Sequence, residues 1–203
     1  GDNYKFIVSY LTSFYDKQKR MGLDAVFVHM IENYYMNDQA FWLDSAATGK
    51  LIEKAMSLKP ILIGKKAPFI TLFDTTLTNK ISLYNVAADY IILVFWASDC
   101  GHCQKAMPVL LEVYQNYKDK GVKVFAVGTE LEDEAWIKYI KDHNLDFINV
   151  SDTPEHPDYF RTRYDIFATP KFFILDKEKT IIAKDIGVEQ LSKFLDFELN
   201  KKK

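Results

Sequence analysis

The chain of 203 residues holds only two cysteines, Cys100 and Cys103, in the run Trp96-Ala-Ser-Asp-Cys-Gly-His-Cys103. Two thiols separated by two residues can close a disulfide and reopen it. If a helix begins at Cys100, its sulfur faces the unpaired N–H groups of the first turn and the positive end of the macrodipole, and both favour thiolate over thiol. Cys100 is then the attacking nucleophile. Cys103 lies one turn inside, less exposed, and suits the resolving role. Two other readings compete. A static bridge over so short a loop would constrain the unfolded chain little. A zinc site would need about two further ligands, and His29, His143 and His156 are scattered through the sequence with no second pair.

The elements around the pair are legible from patterning. Tyr90-Ile-Ile-Leu-Val-Phe-Trp96 does not alternate apolar with polar residues, so it predicts a strand buried on both faces at the centre of a helix-covered sheet. The cysteines follow directly, at a strand-to-helix turn. From residue 61 onward the patterning predicts strands at 69–73, 81–83, 90–96, 122–129, 147–150, 171–175 and 180–184 and helices at 101–119, 132–143, 156–164 and 188–199. Asp176-Lys-Glu-Lys179 between two apolar runs predicts a hairpin at the sheet edge, hence a mixed sheet. Residues 1–60 are different in kind, with no proline before Pro60 and almost no β-branched runs, and predict an all-helical module. Asp24 to Met36 is one expected helix. Gln39 to Leu58 is another, with Trp42, Ala46, Gly49, Ile52 and Met56 as its packed stripe. Pro60 and Gly64 punctuate the chain, giving a helical unit 1–60 and an α/β unit 61–200, with Lys201 to Lys203 as a frayed end.

Composition excludes several classes. At 48% apolar, 15% aromatic and 27% charged residues the chain can bury a large core. Twenty-six basic against twenty-eight acidic side chains leave a net charge of −2, which gives no field for nucleic acid or anionic lipid. The longest apolar run, Tyr90 to Ala97, is far short of the roughly 20 residues that span a bilayer. No glycine-rich phosphate loop is present, and no metal, flavin or nucleotide cofactor is expected. The chain starts at Gly1 without an initiator Met, and the expectation is that a targeting segment has been removed.

The residues flanking the cysteines resemble the thioredoxin superfamily. Phe95-Trp96-Ala97 leads into the Cys-x-x-Cys, Pro108 follows five residues after Cys103, and Ala168-Thr169-Pro170 precedes an apolar strand. Ile63-Gly-Lys-Lys-Ala-Pro-Phe-Ile-Thr-Leu72, followed by Lys80-Ile-Ser-Leu83, is similar to the entry of the ResA- or TlpA-like envelope oxidoreductases. The resemblance covers about residues 61–200. It implies a thioredoxin-like fold, a cis Thr169-Pro170 bond lying against the sulfurs, and Trp96, Gly101 and Thr169 lining the site. It also implies protein thiols and disulfides as substrates, a redox partner protein, and a bacterial periplasmic or envelope location. His102, as in the similar Cys-Gly-His-Cys of protein disulfide isomerases, would stabilise the Cys100 thiolate as imidazolium. Asp99 opposes it unless turned to solvent, and capping or plain exposure is the preferred reading for Asp99. Trp96 either shields the disulfide or belongs to the core; Trp42 and Trp136 are expected to pack.

Two departures stand out. The superfamily's buried acid is Val94 here, and the subgroup's acid three residues past the second cysteine is Ala106. Glu130, at the C-terminal end of the 122–129 strand, is the candidate acceptor for the Cys103 proton, against a solvated loop glutamate beside Glu132, Asp133 and Glu134. The expected activity is thiol-disulfide exchange. Its rivals are a thiol peroxidase with Cys100 as peroxidatic sulfur, and a redox-inert module whose helices recruit a partner. The helices are expected to dock away from the Cys100 surface, so that losing them harms stability more than chemistry.

Overall fold

The computed structural model describes residues 1–18, 20–37, 39–130, 133–153 and 157–201, without the side chain of Asp133. Three helices come first: α1 (Asp2–Asp16), α2 (Asp24–Met30), which runs on as a π-helical turn Ile31–Tyr35, and α3 (Ser45–Leu58). They share a core of their own, in which Val8, Phe27, Val28, Ile31, Tyr35 and Ala55 are buried and Leu51, Ile52 and Met56 pack against them. Trp42 packs there too, as expected.

The start and phase of α3 differ from the sequence expectation. Asp44 accepts a hydrogen bond from the Ala47 N–H at 2.7 Å, so the helix opens at Ser45 rather than Gln39, and Trp42 precedes it. Ala46 and Gly49 face solvent, while Ala55 is fully buried. Small residues do not set a helical phase; Leu51, Ile52 and Met56 do, and Ala55 falls between them.

A seven-stranded sheet follows, built from β1 (Thr71–Asp74), β2 (Lys80–Ser82), β3 (Tyr90–Trp96), β4 (Val122–Gly128), β5 (Ile148–Ser151), β6 (Lys171–Asp176) and β7 (Ile181–Lys184), in the order β2-β1-β5-β4-β3-β6-β7. Central β3 runs parallel to β4, with Trp96 opposite Gly128, and antiparallel to β6, with Phe95 opposite Lys171. The β6–β7 hairpin makes the sheet mixed and ends it at an edge. Side chains of β3 alternate between two cores. Tyr90, Ile92, Val94 and Trp96 pack under α4 (Gly101–Tyr117), α5 (Asp133–Asp142) and α7 (Leu191–Asn200). Ile91, Leu93 and Phe95 face α6 (Phe160–Arg163) and the segment from Ile61 to Val86. The expected 156–164 helix is therefore a single described turn; its first residue, His156, lies outside the described residues. No helix among the described residues is long and apolar enough to cross a membrane.

Ile61 already belongs to the core under the sheet, so the helical segment hands over to the α/β fold there. A buried ion pair ties the two: Lys184 Nζ, 1% exposed at the end of β7, lies 2.6 Å from Asp24 Oδ2 on α2. Removing one partner of such a pair leaves a buried charge uncompensated, whereas replacing both by apolar groups is near neutral. Asp24→Asn is therefore expected to lower unfolding free energy by about 3–5 kcal/mol in urea melts, and the Asp24→Leu/Lys184→Met double variant to recover most of it. A loss below about 1 kcal/mol in the single variant would mean that water reaches the Lys184 ammonium.

Candidate active site

Strand β3 delivers the chain to the carboxyl edge of the sheet, where open α/β folds hold their chemistry. Cys100 is the N-cap of α4, with extended backbone, and its sulfur accepts a hydrogen bond from the Cys103 N–H at 3.3 Å. The Cys100 thiol donates to the Thr169 carbonyl at 3.4 Å, and the Thr169-Pro170 bond is cis. Both cysteines are free thiols, Cys100 half-buried and Cys103 fully buried.

Their acidities diverge. Burial alone would push Cys100 up, but hydrogen bonds from the Cys103 and Thr169 side chains and from the backbone N–H groups of Cys103 and His102 outweigh it, and the thiol ends below its ordinary value. Cys103 is pushed up to about 12, first by burial and then by its hydrogen bond with Cys100. An acidic, reachable sulfur beside a weakly acidic, enclosed one is the division of labour that thiol-disulfide exchange needs.

The loop ahead of Cys100 is pinned from both sides. Glu130 accepts from the N–H groups of Ser98 and of Asp99, the latter at 3.2 Å, and Gln104 donates to the Ser98 carbonyl at 2.8 Å. Glu130 is thus at the site, bonded to loop backbone. Gln104 carries no sequence signal, because its partner lies six residues back in a loop. Val94 and Ala106 are both core residues beneath the cysteines, as their types require.

Of the two readings of Trp96, the structure favours the core. Its ring is fully buried, stacked at an angle on Trp136 (6.3 Å between ring centroids) and Tyr139 (5.4 Å), and so forms the floor under the cysteines rather than a surface that substrate touches. Trp136 packs as expected, in a space that Gly128 leaves open: a Cβ on Gly128 would meet the Trp136 ring at 2.8 Å. Asp99 is exposed. His102 is exposed as well and lines a groove of about 370 Å³ with Lys105, Thr169, Pro170, Gly187 and Glu189. His29 bonds to Asn33, and His143 bonds to the Tyr139 carbonyl and stacks on the Tyr139 ring.

Comparison with known proteins follows this geometry. The model of the AhpC/TSA family matches residues 63–184. The thiol-disulfide oxidoreductase ResA of Bacillus thuringiensis is 32% identical over 136 residues, 66% of this chain and 76% of that protein. A domain of a possible thiol-disulfide isomerase from Cytophaga hutchinsonii is 45% identical over 70% of this chain and 96% of its own length, with a TM-score of 0.63. A thioredoxin-like protein from Bacteroides caccae, 21% identical, aligns with 95% of this chain and 71% of its own at a TM-score of 0.78, so its fold matches the helical segment as well as the sheet.

Proposed function

The chain belongs to the AhpC/TSA family and is a thioredoxin-like thiol-disulfide oxidoreductase similar to ResA, and from that premise we propose that it exchanges disulfides with protein substrates through Cys100-Gly-His-Cys103. The Cys100 thiolate attacks one sulfur of a substrate disulfide; the Cys100–substrate bond forms, the substrate S–S bond breaks, and the other substrate sulfur leaves as thiolate. Cys103 then loses its proton, its thiolate attacks Cys100, and the second substrate thiolate departs. The substrate gains two electrons, and the enzyme is left as the disulfide. A partner dithiol protein returns it to the reduced form, and the same steps run backwards oxidise a dithiol.

The observation that carries this reading is the opposite displacement of the two thiols at one helix start, Cys100 acidic and reachable, Cys103 enclosed. Thr169 and Pro170, on the groove wall at the Cys100 sulfur, are assigned to hold an extended substrate segment by backbone pairing. His102 at the groove rim is assigned to stabilise the thiolate, with Gly101 beside it. The residues 1–60 form the helical unit and 61–200 the catalytic one. A bacterial periplasmic or envelope location is supported by the resemblance of residues 63–83 to the ResA- and TlpA-like group.

Insulin reduction with a dithiol as electron source tests the reading. The intact protein is expected to precipitate the insulin B chain, and Cys100→Ser to abolish this. No acceleration by the intact protein over the dithiol alone would make it a redox-inert module, and Cys100-dependent consumption of peroxide without insulin reduction would make it a peroxidase.

A further inference from the structure

The groove beside Cys100 is lined by the start of α4, at His102, Lys105 and Ala106, and by two loops, each of which is tied to the N-terminal helices. The first wall is the loop from Asp165 to Pro170. Lys171, directly after Pro170, folds back so that its Nζ donates to the Asp165 carbonyl at 2.7 Å and lies 3.5 Å from Asp165 Oδ2, closing the loop like a staple. Asp165 sits in the left-handed region at φ +55, and its Oδ1 lies 2.9 Å from Ser57 Oγ on α3, 108 residues earlier, sharing the single hydroxyl proton with the Lys54 carbonyl at 2.8 Å.

The second wall, Ile186 to Glu189, follows Asp185, which also has a left-handed backbone at φ +51. Asp185 lies 3.9 Å from Lys171 Nζ and 3.9 Å from Lys184 Nζ, and its N–H donates to the Phe172 carbonyl at 3.1 Å. Lys184 is the residue paired with Asp24 on α2, and its backbone N–H also points at the Met21 sulfur. A continuous polar chain therefore runs Ser57, Asp165, Lys171, Asp185, Lys184, Asp24. It begins and ends on the helical segment and passes through the anchors of both walls. The two end links, Ser57 to Asp165 and Lys184 to Asp24, join the helical segment to the sheet domain, and Lys171 and Lys184 are both nearly closed to solvent, which makes their links stiffer than surface pairs.

We propose that the helical segment is a clamp on the substrate groove, with Ser57 and Asp24 acting through Asp165, Lys171, Lys184 and Asp185 as positioning residues for the polypeptide that binds beside Pro170. The proposal rests on the disulfide-exchange reading for what the groove holds. It adds substrate affinity to the expectation that losing the helices harms stability more than chemistry. The loop that carries the Thr169 carbonyl, and with it Phe167, 91% exposed, is held by α3 at Asp165 in addition to its anchors in the sheet domain, where Ile166 packs against the core and Lys171 bonds the Asp165 carbonyl. A looser loop must be ordered when substrate docks, so weakening the clamp lowers affinity for substrate and leaves the thiol chemistry in place.

The test uses the full chain with three variants: Ser57→Ala, Ser57→Thr, and the Asp24→Leu/Lys184→Met pair, which removes the ionic link without stranding a charge. In hydrogen exchange, Ser57→Ala is expected to speed amides of 165–171 by about fivefold or more, the double variant to do so at 184–189, and α4 to stay within about twofold of wild type. The KM for insulin is expected to rise by about threefold or more in both at near-constant kcat, with Ser57→Thr, which keeps the hydroxyl, close to wild type. A merely structural loss would reduce the active fraction and leave KM alone. Unchanged exchange in both loops, or faster exchange with unchanged KM, would overturn the clamp. A wild-type protein that does not turn insulin over defeats the disulfide-exchange reading instead, and the exchange measurements then decide on the mechanical link by themselves.

Discussion

Reduced protein treated with iodoacetamide near pH 7 will carry the label on Cys100, with Cys103 modified more than about a hundredfold more slowly. The acidities give the first part of that ratio. With Cys103 held at about 12, roughly one molecule in 10⁵ exposes its thiolate at pH 7, whereas Cys100, below the ordinary value of 9.0, exceeds one in 10². That is about a thousandfold in thiolate population. The more basic thiolate is also the better nucleophile, and a Brønsted coefficient near 0.45 over three pKa units returns about twentyfold to Cys103. About fiftyfold remains, and the complete enclosure of the Cys103 sulfur adds the rest. The pH profile has its own sign. Labelling of Cys100 should climb about tenfold per pH unit at first and reach half of its plateau below pH 9, because its pKa is displaced downward. Dominant modification of Cys103, or a Cys100 rate whose midpoint lies above pH 9, would reverse the assignment of attacking and resolving sulfurs.

What the sequence revealed and what it hid divide along a physical line. Strand β3 was legible because seven apolar residues in succession have no other stable place than a doubly covered strand, and the structure buries all seven. The Cys100 cap was legible for the same kind of local reason: a strand-to-helix turn puts the first thiol on the helix start. The hairpin at Asp176 to Lys179 needed only its polar turn between apolar runs. Local signals stop there. Nothing near Ser57 or Asp24 announces partners 108 and 160 residues away, since a hydroxyl on a helix and an acid at a helix start are ordinary surface features until the fold closes on them. Asp165 and Asp185 adopt left-handed backbone without the glycine that would have marked it. Trp96 shows a third limit. Its place beside the cysteines and at the end of a buried strand left shield and core equally open in the sequence, and the alternation of β3 puts it on the face of Val94, packed onto Trp136.

Release of substrate from the mixed disulfide on Cys100, followed in a single turnover, is expected to accelerate about tenfold per pH unit from pH 6 to 9, about a thousandfold in all. The step requires the Cys103 thiolate, and two groups that could take its proton are replaced by apolar ones, Val94 and Ala106, both packed in the core beside it. Of the causes that push Cys103 up to about 12, those due to Cys100 disappear once that sulfur is bonded to substrate, because it no longer hydrogen-bonds to Cys103 or carries charge. Burial is the largest cause and it stays, so the resolving thiol remains above its ordinary 9.0 and the rate keeps rising through the range. Glu130 is the nearest rival explanation. One of its oxygens is engaged by the N–H groups of Ser98 and Asp99, which holds the carboxylate on the loop in front of Cys100, so Glu130→Gln is expected to keep the slope while it loosens that loop. A plateau in the wild-type protein below about pH 8 that vanishes in Glu130→Gln would give Glu130 the acceptor role; a plateau that survives the substitution would point to another group within reach of Cys103. A slope of one in both proteins means that solvent takes the proton. The pace of exchange at neutral pH is then set by how rarely an enclosed thiol ionises, and reactivity and enclosure trade against each other at a single sulfur.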